Sequence, residues 1–143
     1  MADFSIPVFY SPHMQKQTQS FSPSASKPAA VVADWQKQFG PNIEIIDFNP
    51  LTTNELKIAH ATAYIEGLFN GTVENGFGHK DAQFSTTFLY TCASLLEASK
   101  KALLSGIAVS PTSGFHHAHY DFAQGFCTVN GLIITAELLK KEI

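Results

Sequence analysis

Three short apolar runs mark the chain, at residues 6–10, 43–48 and 107–109. The first, IPVFY, ends at Ser11-Pro12, and the second ends at Asn49-Pro50. Short β-prone runs that stop at proline-containing breaks are typical of strands. The pattern therefore predicts three strands, the third of which, Ile107–Val109, follows a Ser-Gly helix end.

The stretches between these runs show helical periodicity, with apolar residues recurring every three or four positions. The segment Thr53–Phe69 is the clearest case, because Thr52 and Glu55 form a capping-box pair at its start. Ser26 followed by Pro28 marks the start of an earlier helix. The predicted helices cover residues 29–39, 53–69, 83–104 and 128–141, and the segments 11–26 and 70–82 are predicted loops.

The order of the predicted elements is strand, helix, strand, helix, helix, strand, loop, helix. This alternation predicts an α/β fold with a mostly parallel sheet between helices, a three-layer αβα arrangement. The last helix ends where a further strand would be due, and a three-stranded sheet would leave an open edge. We therefore expect one domain over residues 1–143 that needs a continuation or a partner.

Composition narrows the class of protein. The chain has 143 residues, 45% hydrophobic and 15% charged, with a net charge of −3, as in an ordinary globular protein. It has no basic run that would indicate nucleic-acid binding, no segment long enough for a membrane helix and no signal-peptide pattern. Its two cysteines, Cys92 and Cys127, do not suggest a disulfide framework. We expect a cytoplasmic protein with reduced thiols.

The segment Pro111–Asn130, PTSGFHHAHYDFAQGFCTVN, concentrates the residues with reactive side chains. It lies between the third strand and the last helix, where α/β folds place functional residues. Neighbouring side chains diverge in a helix or strand. His116 and His117 are therefore better placed to occupy two positions on one pocket wall than to bind the same metal ion. This pair, followed by Gly125-Phe126-Cys127, resembles the active-site loop of the histone deacetylase family, which includes acetylpolyamine amidohydrolases.

The resemblance implies a zinc-dependent deacetylase that hydrolyses an N-acetyl amide such as acetyl-lysine or an acetylpolyamine. His117 would be the general base, and His116 its electrostatic and proton-transfer neighbour. The carbonyl of Gly125 would contact the substrate amide. Phe126 would form one wall of the acyl tunnel, and Cys127 would lie near the pocket floor.

A second patch, Asn75–Gly78 followed by Asp81 and a long helix, is similar to the loop before this motif in bacterial members. The resemblance implies Asp81 as the rim aspartate that holds the substrate backbone. The two patches together extend the resemblance over most of the chain from about residue 50 onward. The fold it implies is the N-terminal part of an arginase/deacetylase domain.

The family's zinc ligands would lie outside these residues. They are an Asp-x-His pair after the next strand and a later aspartate, and no Asp-x-His occurs in this sequence. A catalytic zinc needs about three protein ligands. We therefore expect the acid/base wall of a deacetylase with no zinc bound to this chain alone and no activity alone. We also expect the chain to self-associate, burying faces that the truncated sheet leaves uncovered, or to bind a complementary C-terminal portion.

Two alternatives stay open at this point. The chain could be a non-catalytic binding or assembly module derived from a deacetylase. It could also be a small metalloprotein, because His117, His119 and Asp121 would share one face if their segment were extended. Elsewhere, His60 falls on the apolar face of the predicted helix 53–69, where a packed core histidine is expected.

Overall fold

The computed structural model describes residues 4–18 and 20–143 of the chain. Gln19, in the predicted loop 11–26, and residues 1–3, which enter the signal-peptide prediction, lie outside the described residues. Two strands, β1 (Ile6–Phe9) and β2 (Ile43–Ile46), pair in parallel with Ile6 opposite Ile43. Helix α1 (Lys27–Phe39) makes the crossover between them, as parallel pairing requires.

The predicted third strand is reduced to a single bridge, so its predicted length is wrong. The Phe9 N–H donates to the Val109 carbonyl, and the Val109 N–H donates to the Pro7 carbonyl, each at 2.8 Å. Val109 thus extends the sheet on the side of β1 away from β2. Among the described residues no strand pairs with the other edge of residues 107–109, and a segment paired on one side at one residue does not form a full strand.

Four more helices build the main core: α2 (Thr53–Leu56), α3 (Thr62–Asn70), α4 (Thr86–Ser105) and α5 (Gly131–Glu142). Helix α4 packs against α5 and against β1. The side chains sealed between these elements are Leu56, Ile65, Leu68, Phe84, Cys92, Val129 and Ile134. The predicted α/β class with a parallel sheet is confirmed.

The prediction of one continuous helix over residues 53–69 is wrong. The chain leaves the helical path at Ala61, whose ψ is 134°. The Ala61 N–H donates to the Tyr120 carbonyl at 3.0 Å instead of closing a helical turn. The apolar periodicity continues across the break, but the backbone hydrogen bond is made to a distant loop.

The starts of the other long helices also differ from the prediction: α1 starts two residues earlier, and α4 and α5 each start three residues later. Residues 82–85 form a turn before α4. Helix α5 starts after Asn130, whose side-chain oxygen accepts from the Ile133 N–H at 3.2 Å as the N-cap. Within the described part of the chain, no helix combines the length and the apolar character that crossing a bilayer requires.

Candidate active site

Residues 110–130, the motif loop, connect the sheet edge at Val109 to the start of α5. Two hydrogen bonds join the C-terminal half of this loop to the core, and a third closes the loop on itself. The Asn130 backbone N–H donates to Nε2 of His60 at 2.9 Å, and the Tyr64 hydroxyl donates to the Thr128 carbonyl at 2.7 Å. The Asn130 side-chain amide donates to the Ala118 carbonyl at 3.3 Å. The loop is therefore held in place although it contains no helix or strand.

His116 and His117 lie together in a turn, which the Ala118 N–H closes on the Phe115 carbonyl at 3.2 Å. Their ring centroids are 4.0 Å apart, with 41° between the ring planes. The expected divergence of the two side chains is absent, because it holds for helices and strands and not for this turn. Both histidines are exposed, so the structure presents one surface pair of imidazoles.

Gly125 and Phe126 form the tip of a two-residue hairpin turn beside this pair. Gln124 and Cys127 exchange both backbone hydrogen bonds, at 2.9 and 3.1 Å. The φ angles of Gly125 and Phe126 are +56° and +62°, and positive φ at both central positions is the mark of a type I′ turn. A Cβ on Gly125 would lie 3.2 Å from Cδ2 of His117. Glycine therefore allows the turn to pack closely against the His117 ring.

Two phenylalanines near the pair adopt strained backbone conformations. Phe115, directly before His116, has φ +60°, and Phe126 has φ +62°. For L-residues with bulky side chains this region costs roughly 1 kcal/mol or more each. Such strain persists only where the surroundings hold it, and it is concentrated at functional sites.

An aromatic cluster surrounds the Phe126 side chain. Phe21 meets it edge-on with centroids 5.2 Å apart, and Phe77 lies at 6.1 Å. Phe21 is 91% exposed and comes from the loop between β1 and α1. Sequence reasoning missed both rings as site residues. Phe77 lies inside the patch Asn75–Gly78, which could have pointed to it, whereas Phe21 lies in a loop without any periodic signal.

Cys127 is buried behind the hairpin turn, at 7% exposure. Gly76 packs on the same backbone, since a Cβ there would lie 2.9 Å from the Phe126 carbonyl carbon and 3.0 Å from the Cys127 nitrogen. The Gly76 N–H also donates to the Thr128 hydroxyl at 3.0 Å. The two patches singled out in the sequence are thus in direct contact.

Asp81 is exposed and serves its own turn. One carboxylate oxygen accepts from the Gln83 N–H at 2.9 Å, and the other lies 3.9 Å from Nζ of Lys16. Within the part of the chain that is described, no hydrogen bond or ion pair joins Asp81 to the histidine pair. The structure therefore brings together His116, His117, Gly125 and Phe126. Asp81 is not hydrogen-bonded to the histidine pair within the described residues.

Two buried titratable groups support the loop from below. His60 is 2% exposed, and burial lowers its pKa despite the hydrogen bond to the Tyr120 carbonyl, which acts in the opposite direction. Burial raises the pKa of Tyr64, and the nearby Asp121 carboxylate adds to the effect. The expected role of His60 as a packed core histidine is confirmed, although it lies in the bend before α3 and not on a helix face.

The resemblance noted in the sequence implies a zinc ion, so we asked whether the side chains present could bind one. Among residues 4–18 and 20–143, no group of three His, Cys, Asp or Glu side chains is placed to hold a metal ion. His119 bonds Gln124 through Nε2 at 2.7 Å and stacks on Phe122 with centroids 4.1 Å apart. His117 lies in a turn, residues 120–121 form a bend, and none of the described residues 117–121 is in a strand. The structure therefore does not show the extended segment that a His117, His119 and Asp121 site requires.

A cleft of about 560 Å³ lies beside the pair, not at it. It runs between α1 and the start of the motif loop and is walled mainly by apolar groups, including Val31, Trp35 and Phe115. The hydroxyl oxygen of Thr112, a residue that also lines the cleft, is buried without a hydrogen-bond partner among the described residues. The cleft contains neither of the two histidines.

Comparison with known proteins leads to the same family that the motif-loop residues resemble. Residues 22–143 match the family model described as histone deacetylase domain. A solved structure described as the HDA15 HD domain superposes with a TM-score of 0.78 at 14% identity. The superposition covers 97% of this chain and 44% of that one, so the chain spans less than half of the solved domain. No curated protein matches the sequence.

Proposed function

The chain belongs to the histone deacetylase domain family, and from this premise we propose that it carries the acid/base wall of an N-acetyl amide hydrolase. The parent reaction is hydrolysis of acetyl-lysine, an acetylpolyamine or a similar small amide. The observation that carries the proposal is the paired imidazoles of His116 and His117, 4.0 Å apart and backed by the Gly125-Phe126 turn.

The proposed role of His117 is that of general base. An imidazole can take a proton from an attacking water near neutral pH and return it to the leaving amine. Because the His117 side chain is exposed, both the attacking water and the amide substrate can reach it. His116, with its ring in contact with that of His117, is proposed to assist through electrostatics and proton transfer.

The hairpin turn is proposed to hold the substrate. No hydrogen bond to the Gly125 carbonyl oxygen forms within the described residues, so that oxygen can accept from a substrate amide N–H. Phe126, at the tip, is proposed as a tunnel wall, with Cys127 buried behind it near the floor. Asp81 is proposed to hold the substrate backbone at the rim, although its carboxylate already bonds its own turn.

Zinc in this family supplies Lewis-acid chemistry, but the described residues offer no fitting donor set. We therefore assign only the histidine wall to these 143 residues and propose that the zinc ligands come from elsewhere. A complementary C-terminal portion is the proposed source. On this proposal the chain alone binds no zinc and has no deacetylase activity.

Zinc stoichiometry tests the division of the site. The purified chain is incubated with excess zinc, desalted and measured by atomic emission. The expected result is no retained metal. About one zinc per chain would contradict the proposal and would point to His117, His119 and Asp121 or to a site assembled between subunits.

The role of His117 is tested in the chain complemented by the remainder of a deacetylase domain. His117→Ala should abolish turnover and leave the zinc content unchanged, because this residue moves protons and does not bind the metal. His119→Ala is the matched control, since His119 is engaged with Gln124 and Phe122. Loss of zinc in the His117 variant would show that its role is wrongly assigned.

A further inference from the structure

We propose that His60 is a positioning residue that seats the motif loop, and that it does so only as a neutral imidazole. The proposal rests on the proposed function in one respect only, namely that the loop carries the acid/base pair. The order of the loop itself can be measured without any activity.

The hydrogen bonds of His60 fix its protonation state. The Asn130 backbone N–H can only donate, so Nε2, 2.9 Å away, must accept and carry no proton. The Tyr120 carbonyl can only accept, so Nδ1, at 3.2 Å, must carry the proton. One neutral tautomer satisfies both partners, and the imidazolium form satisfies only Tyr120.

His60 ties two separate parts of the motif loop to one point. Tyr120 lies three residues after His117, and Asn130 is the N-cap of α5. The adjacent Ala61 N–H also donates to the Tyr120 carbonyl at 3.0 Å. The hairpin that packs against His117 lies between these two anchors, so releasing either one would free the turn that backs the acid/base pair.

The surroundings of His60 favour the neutral form. The ring is 2% exposed and tilts against the Tyr64 ring at 5.7 Å. Burial lowers its pKa, and backbone hydrogen bonding, chiefly to the Tyr120 carbonyl, acts in the opposite direction. The titratable groups on the neighbouring segments are Glu55, Lys57, Tyr64, His119, Tyr120 and Asp121.

Acidification should therefore release the loop. Because the pKa of His60 is lower in the folded chain than in the unfolded chain, the unfolded chain binds more protons between the two values. Stability is then complete above the unfolded pKa of about 6.5 and is lost as pH falls through the folded pKa. Once protonated, Nε2 becomes a donor that faces the Asn130 N–H donor.

NMR of the 143-residue chain tests the proposal. The measurements are the His60 tautomer, from ring nitrogen shifts, and the exchange protection of the Asn130 amide between pH 8 and 5, corrected for intrinsic exchange. The expected results are an Nδ1-protonated ring and Asn130 protection that falls at least about tenfold as His60 becomes protonated.

Three variants complete the design. His60→Gln retains an acceptor and cannot titrate, so Asn130 protection should persist at pH 8 and lose its dependence on pH. His60→Leu should reduce protection at every pH. His13→Gln is the matched control, because His13 stacks on Tyr90 and, among the described residues, makes no hydrogen bond to the motif loop. It should behave as the unaltered chain.

The outcomes separate this proposal from the proposed function. A protonated Nε2 at pH 8, or Asn130 protection that ignores the His60 titration, would overturn the positioning role whatever the chain catalyses. If loop order follows His60 while His117→Ala leaves turnover intact in the complemented domain, the positioning role stands and the catalytic assignment fails.

Discussion

The hydroxyl of Tyr64 is a single buried atom whose loss can be measured directly. It donates to the Thr128 carbonyl at 2.7 Å, and Tyr64 is 4% exposed. In Tyr64→Phe the carbonyl loses this donor, so we expect the free energy of unfolding to fall by about 1–2 kcal/mol. Urea denaturation provides the measurement.

The matched control is Tyr120→Phe, since the Tyr120 side chain is mostly exposed and only its carbonyl is used. Equal losses in the two variants would show that the Tyr64 hydrogen bond contributes nothing specific.

At the scale of single residues, the sequence predicted which residue types matter but not their backbone conformations. His116-His117 and Gly125-Phe126-Cys127 stand out in print, but a positive φ at Phe126 is imposed by the hairpin turn.

Contacts between loops can be tested at the scale of elements. Gly76 packs on the Phe126–Cys127 backbone, and a Cβ there would lie 2.9–3.1 Å from backbone atoms that cannot move independently. Gly76→Ala should push the two loops apart, lower stability by about 1–3 kcal/mol and change the chemical shifts of Cys127 and His117.

Gly131→Ala serves as the control for this substitution. Its added Cβ would meet neighbours at ordinary distances of 3.4–3.6 Å, and alanine is a better helix former in α5. It should therefore leave stability unchanged or raise it slightly. If Gly76→Ala behaved in the same way, the close contact between the loops would not constrain either of them.

The break between α2 and α3 shows what periodicity cannot report. Apolar residues recur at helical spacing on both sides of His60, so the sequence predicts one helix. The break depends on hydrogen bonds to Tyr120 and Asn130, which lie sixty and seventy residues further along. The third strand was overestimated for a related reason, since strand length depends on pairing partners and not on the three apolar residues alone.

Exposed apolar side chains give a prediction for the whole molecule. Leu103, Leu104 and Ile107, around the end of α4, are 41–87% exposed, and Leu132 and Ile133 on α5 are about half exposed. Burying such groups is favourable, so the isolated chain should self-associate as its concentration rises. Sedimentation velocity across a range of concentrations provides the measurement.

Leu104→Lys should weaken this association about tenfold, since a buried leucine side chain contributes 1.5–3 kcal/mol. Ala33→Lys adds the same charge on the exposed side of α1 and should have no effect. A compact monomer at every concentration would contradict the prediction and would leave a complementary portion as the remaining proposed partner.

The anchors of the motif loop also set the order in which the site can form during folding. The hydrogen-bond partner of His60 is Asn130, 70 residues later in the chain, and that of Tyr64 is Thr128, 64 residues later. Closing loops of this length carries an entropic cost that must be met before the contacts form. During synthesis on a ribosome, His60 and Tyr64 are made first and cannot form these hydrogen bonds until residue 130 has emerged. Pulse-labelling exchange during refolding should therefore find the Asn130 amide protected after the α3 amides, so the site is among the last parts of the chain to become native.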